Sequence, residues 1–350
     1  MVPANGSVSM PCPCCLSPQT VDSAEPGSYS RCAGCGHRWV ASDAIVPVDY
    51  GRLYGRNVIQ GASHARKLQD RIADISPLLR PGMRVLEIGC AEGSLGAMVR
   101  SLHAVHYTGI ELSDDALVAE KVLDRVMRAP AATIAGENFD LLMSFHVLEH
   151  IEDIAGELAQ WRRLLAATGR LLVEVPNQSG HRLLDSDPNP EHLHQFTPAS
   201  LTAALHHAGF DADRLETGHW ESSVYSDSLR VLGRPTLDGA QRRKLLLQRF
   251  LALFPARFAV WGIGGDFRAY VEPLLDLLPV AALIDSAPQR HGERHGHLAV
   301  EVYDPLRHNG LPILICSVRH RESILGDLAL QGIPTASTVS LDDIFGGVMP

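Results

Sequence analysis

The chain has 350 residues, 45% of them apolar, and a formal charge of −9, enough for two or three domains with their own cores. The negative balance argues against a nucleic-acid substrate, because phosphate backbones are bound through clustered Lys and Arg. No apolar run of the roughly 18 residues needed to cross a membrane occurs, and Met1 to Pro11 lacks the basic start and apolar core of a signal peptide, so a cytoplasmic protein is expected.

Five of the seven cysteines fall within the first 35 residues. Cys12 and Cys15, then Cys32 and Cys35, make two C-x-x-C knuckles separated by 16 residues, which suits a four-thiolate zinc site in a ribbon. Disulfides are disfavoured in a reducing cytosol, and a segment this short and rich in Pro and Ser cannot build a core without a metal. Four thiolates leave no open coordination position, so the zinc is expected to be structural. Cys14 is the odd thiol. From Asp49 to Leu79, the spacing of Tyr50, Tyr54, Ala65, Leu68, Ile72, Ile75 and Leu79 predicts a lead helix beside a ligand site, ending before Pro81, with the two tyrosines as packing residues.

Met83 to Gly96 reads as a buried strand (Val85, Leu86, Ile88), a glycine turn (Gly89, Gly93) and the start of a helix. A second strand, His106 to Glu111, ends in an acid 22 positions after Gly89, where a carboxylate can accept both hydroxyl protons of a ribose. Ser94 stands where the third glycine of a dinucleotide fingerprint belongs, so no pyrophosphate cradle is expected. A third strand, Phe139 to Phe145, runs into His146-Val-Leu-Glu149-His150-Ile151.

On these motifs, the run from Val85 to Ile151 resembles class I S-adenosylmethionine-dependent methyltransferases. The resemblance implies a cofactor site at Glu87, Gly89, Cys90, Ala91, Gly93, Glu111, Leu112 and His146, with Glu87 near the amino-acid end of the cofactor. Ala91 occupies a position that is often glycine in that family. His150 reads as structural or capping.

Glu152 to Ala167 then predicts an amphipathic helix closed by Gly169, followed by a buried strand, Arg170 to Val175. This alternation predicts a parallel doubly wound α/β sheet with ligands at the carboxyl ends of its strands, where His146 lies. Thr197-Pro198 is a helix start, leaving Glu191, His192 and His194 in the loop before it. The resemblance implies that a Glu-His pair here faces the substrate pocket. His192 is then the expected general base, Glu191 the group holding its tautomer, His194 a lesser candidate and His146 the alternative base. Phe210 to Leu232 suits a closing antiparallel hairpin, and Gln241 to Leu253 a connecting helix. A second Rossmann-like unit begins at Phe258, with Gly262 and Gly264 in its turn, strands Val280 to Ile284 and Pro312 to Ser317, and a polar loop at His291 to His297.

The expected domains are a zinc ribbon (1–45), a methyltransferase domain with its lead helix (46–235) and a C-terminal Rossmann-like domain (236–350). This order resembles the bacterial sugar methyltransferases, including the C-methyltransferases of deoxysugar pathways, and implies S-adenosylmethionine, structural zinc and a small sugar-like, glycan or nucleotide-linked acceptor. Those C-methyltransferases usually carry Gly-Ser-Asn-Asp-Gly where this chain has Gly89-Cys-Ala-Glu-Gly93, so oxygen is favoured as the acceptor atom over carbon or nitrogen. The rivals are a deoxysugar C-methyltransferase, a zinc-ribbon RNA methyltransferase, for which Arg31, Arg38 and His37 are the nearby basic candidates, and a non-catalytic nucleotide-binding protein. The sequence leaves the oligomeric state open.

Overall fold

The computed structural model describes residues 11–21, 29–40, 45, 62–179, 189–317, 319–333 and 338–345. The chain divides into two compact units, Met1–Thr236 and Leu237–Pro350. Among the described residues no helix is long and apolar enough to cross a membrane.

The first unit opens with three short antiparallel strands, β1 (Thr20–Val21), β2 (Ser30–Cys32) and β3 (Arg38–Trp39). The lead helix α1 (Ala62–Ile75) follows. Its buried face carries Leu68 and Ile75, while Tyr50 and Tyr54 lie outside the described residues. Strand and helix then alternate through β4 (Arg84–Ile88), α2 (Ser94–Leu102), β5 (His106–Ile110), α3 (Ala116–Ala119), β6 (Arg125–Met127), β7 (Phe139–Phe145), α4 (Ile154–Leu164) and β8 (Leu165–Pro176). A two-residue strand β9 (His194–Gln195), helix α5 (Pro198–His207) and the hairpin β10 (Phe210–His219) and β11 (Ser228–Pro235) complete the unit.

Seven strands form one sheet in the order β10-β11-β8-β7-β4-β5-β6. It is parallel from β8 to β6, and the hairpin adds two antiparallel strands at the β8 edge, as the weak alternation of that stretch predicts. The central strands are buried along nearly their whole length because helices cover both faces, which is why they read as continuous apolar runs. Helix α4 ends three residues earlier than the sequence predicts. Leu165 is drawn into the sheet opposite Phe139, and the extra residues before Arg170 are absorbed as a register shift. Helix α5 begins where expected, with Thr197 and Ser200 making a reciprocal capping box.

The second unit is built on a six-stranded sheet. Three parallel strands, β12 (Phe258–Trp261), β13 (Val280–Ile284) and Ile313–Ile315, hold its centre. The helix at Gly239–Leu253, predicted as a connection, buries Phe250 in this unit's own core with Leu246 and Leu247 beside it. Within the tract His291–His297, Arg294–His295 pairs antiparallel with Leu298–Ala299 as one arm of a short hairpin, with His295 Nδ1 2.6 Å from Glu272.

Candidate functional site

At the carboxyl ends of β4, β5 and β7 the first unit opens into a cleft of about 550 Å³. Its floor is the glycine turn. Gly89 has φ +74°, and a Cβ there would stand 2.3 Å from Val147 Cγ2, so any side chain would push the turn out of place. Gly93, at φ +82°, caps α2, and its missing side chain leaves room for Val122 and Ala119. Ala91 also takes the left-handed conformation (φ +45°), which explains why glycine suits this position and marks a local strain that the chain tolerates. Glu111 accepts from the Ala91 amide at 2.9 Å and the Ser113 amide at 2.8 Å. Each of its oxygens keeps a lone pair, so the carboxylate is oriented towards the turn and can still accept hydroxyl protons.

Glu87 lies under the same turn and accepts from Tyr107 Oη at 2.7 Å. Burial pushes its carboxyl up to about 7. Cys90, Ala91, Leu112 and His146 line the cleft with Gly89, Glu87 and Glu111, and α1 contributes His64, Lys67 and Arg71. The structure therefore brings seven of the eight expected cofactor residues to one cavity. Gly93 stands behind the wall as the helix cap.

The far wall of the cleft is charged. His146 (φ +56°) follows β7 and presents Nδ1 3.2 Å from Glu149 Oε1, and Nε2 3.1 Å from Ser228 Oγ and 3.5 Å from Glu174. Burial works against its charged form, but Glu149 and Glu174 outweigh burial and raise its pKa to about 9. Behind it lies a buried ion network. Arg71 bonds Glu174 at 2.7 Å and Glu221 at 2.6 Å, while Arg230 Nε bonds Glu174 at 2.7 Å and its other nitrogens reach Asp74 and Asp70. Lys67 closes on Glu221 at 2.7 Å.

His192 occupies a different place from the one expected of it. It is 3% exposed, does not belong to the cleft lining, and packs against His150 and Tyr225 with Nε2 3.9 Å from Glu149. The carbonyl of Glu191 accepts from His150 Nδ1 at 3.0 Å. The side chain of Glu191 has a buried oxygen with no hydrogen-bond partner among the described residues. His194 pairs with His37 at 3.1 Å, and burial lowers its pKa to about 4, so it is a neutral packing residue.

That pair joins the loop to the cysteine ribbon. Strand β3 pairs with β9, extending the ribbon to four strands, and Thr197 Oγ1 donates to the Cys35 carbonyl at 2.7 Å. Tyr29 donates to the His192 carbonyl at 2.7 Å. The Sγ atoms of Cys12, Cys15, Cys32 and Cys35 all lie within 4.8 Å of one another, with the pairs Cys12–Cys35 and Cys15–Cys32 at 3.6 and 3.5 Å. Tetrahedral zinc with bonds of about 2.3 Å sets sulfurs roughly 3.8 Å apart, so the donor set fits that ion. Cys14 is buried outside the four.

Arg71, Lys67, Glu221 and Ser228 carry no motif and were not legible as site residues. The helical pattern of α1 placed the first two beside the cleft without marking their role. The second unit repeats the logic of the first on its own, since Asp285 at the end of β13 accepts from the Ile263 amide at 2.8 Å and the Ala287 amide at 2.9 Å, beside a cavity of about 540 Å³.

Residues 61–215 match the family described as "Methyltransferase domain". A probable S-adenosylmethionine-dependent methyltransferase of Mycolicibacterium smegmatis is 32% identical over 141 residues, covering 38% of this chain and 53% of the relative. A ubiquinone biosynthesis O-methyltransferase of Rhodopseudomonas palustris is 27% identical over 168 residues, covering 46% of this chain and 64% of the relative. Among solved structures, magnesium protoporphyrin IX methyltransferase from Synechocystis with bound SAH superposes with a TM-score of 0.41 at 19% identity, covering 53% of this chain and 90% of that one. The chain spans about half the length of the mycobacterial relatives it matches.

Proposed function

We propose that this protein is an S-adenosylmethionine-dependent methyltransferase that methylates an oxygen of a small sugar-like molecule, free, nucleotide-linked or within a glycan or glycosylated natural product. The observation that carries the reading is a glycine-floored cleft, with Glu111 oriented across its turn, that ends on the polar wall of His146, Glu221, Lys67 and Arg71. Bound S-adenosylmethionine supplies an electrophilic methyl group. Glu111 would hold the ribose hydroxyls, and Glu87 would lie near the amino-acid end. The polar wall suits a hydroxylated acceptor, and its placement within reach of that wall supplies much of the rate. We assign the acceptor proton to His146, because it lines the cleft where His192 does not. A cationic occupant of the cleft favours the neutral ring this role needs. The O-methyltransferases among the relatives support oxygen as the acceptor. Incubation with labelled S-adenosylmethionine and a panel of nucleotide sugars and free sugars tests the reading. Label on a hydroxyl is expected, whereas cofactor binding with transfer only to RNA would overturn the acceptor class.

The raised pKa of Glu87 gives a pH test. An acid held up by burial is protonated below about 7 and offers no charge to a cation. Cofactor affinity is therefore expected to rise between pH 6 and 7.5, and Glu87→Gln to flatten that rise, as read by calorimetry. Equal pH dependence in both proteins would remove Glu87 from the cofactor's charged end.

Zinc belongs at Cys12, Cys15, Cys32 and Cys35 on this reading. Protein purified without chelator is expected to carry at least one equivalent of zinc, Cys14→Ser to keep it and Cys32→Ser to lose it, with loosening of the β3–β9 pairing. Elemental analysis showing no zinc in the wild type would discard the site.

A further inference from the structure

Beside the cleft stands a buried group that the reaction as described does not use. Glu149 is 0% exposed, and neither of its oxygens has a partner in hydrogen-bond geometry among the described residues. The other buried carboxylate near it, Glu174, is held by Arg71 and Arg230. Among the described residues the polar side chains against Glu149 are imidazoles: His146 Nδ1 at 3.2 Å, His192 Nε2 at 3.9 Å, and His150. One ligand atom each from Glu149, His150 and His192 lies within 4.8 Å of the others. His150 Nδ1 donates to the Glu191 carbonyl at 3.0 Å. That bond fixes the tautomer that leaves Nε2 as a lone-pair donor, the usual outer support of a metal-binding histidine.

We infer that Glu149, His150 and His192 form a second metal site, distinct from the four cysteines, for a divalent first-row ion. Two imidazoles and one carboxylate make a donor set for manganese, iron or zinc, and bonds of about 2.1 Å require the three groups to close by roughly 1 Å. Glu221 and Glu174 with His146 are a poorer cluster, because their oxygens are committed to Lys67, Arg71 and Arg230. His150 borders the cleft, so an open coordination position there would take an acceptor oxygen. That role rests on the methyl-transfer reading; the presence of the ion does not.

Manganese chloride separates the two sites, since Mn(II) avoids thiolates and leaves the cysteine site alone. Titrated into the full chain and read by electron paramagnetic resonance, Mn(II) is expected to bind once. Glu149→Gln and His192→Gln are each expected to weaken it at least tenfold, and Glu221→Gln to leave it within about twofold, with thermal unfolding reporting that each variant is folded. No binding of either Mn(II) or Zn(II) at this site in the wild type, or binding that survives substitution of all three ligands, overturns the site. If the ion binds but its removal leaves turnover unchanged, the proposed contact with the acceptor fails and the site stands.

Discussion

His146→Ala is expected to lower turnover by roughly 10²- to 10⁴-fold, the span of a lost general base, while cofactor affinity falls less than tenfold. The ring stands at the carboxyl end of β7 on the cleft wall, with Glu149 on one nitrogen and Ser228 and Glu174 near the other. On the proposed assignment its action is on the acceptor, so the loss belongs in the chemical step. The backbone at His146 is left-handed (φ +56°), which asparagine tolerates better than most residues. His146→Asn therefore removes the base without the conformational change and is expected to match the alanine variant. Single-turnover kinetics decide the matter. A His146→Asn enzyme within threefold of wild type would return the role to another group, and His192 would have to reach the acceptor by a rearrangement of its loop.

The difference between the two histidines shows where the sequence stops being informative. The placement of the glycine turn and of Glu111 was legible because a local motif fixes the backbone there, and β4 through β8 because a strand covered on both faces reads as an apolar run. The loop at 189–197 was placed correctly before α5, but its orientation depends on groups far away in the chain: β3 pairs with His194–Gln195, Tyr29 holds the His192 carbonyl, and Cys35 receives Thr197. Those bonds draw the loop onto the ribbon and bring His192 to Glu149. The end of α4 was misread for a related reason, since Gly169 is a strong local stop signal yet sheet pairing at Leu165 takes precedence. Arg71 and Arg230 carry no local motif, and the fold alone shows that both converge on Glu174.

Glu174→Gln is expected to destabilise the first unit by about 3 kcal/mol, the low end of what breaking a buried ion pair costs. Arg71 and Arg230, 7% and 2% exposed, would be left facing a neutral amide, but Arg71 keeps Glu221 and Arg230 keeps Asp70 and Asp74, so neither loses all compensation. Burial alone would raise the carboxyl pKa of Glu174; Arg71, His146 and Arg230 instead hold it well below the ordinary range. A carboxylate depressed in the folded state stabilises it above its unfolded pKa of about 4.3, and that contribution is lost as pH falls through the folded value. Urea unfolding of the wild type is therefore expected to shift to lower midpoints as pH drops below about 4, with a smaller shift in Glu174→Gln. Equal stability of the two proteins at pH 7 would mean that desolvation of the three charges cancels their attraction. In that case the network's remaining task would be to hold α1 and His146 in place at the cleft.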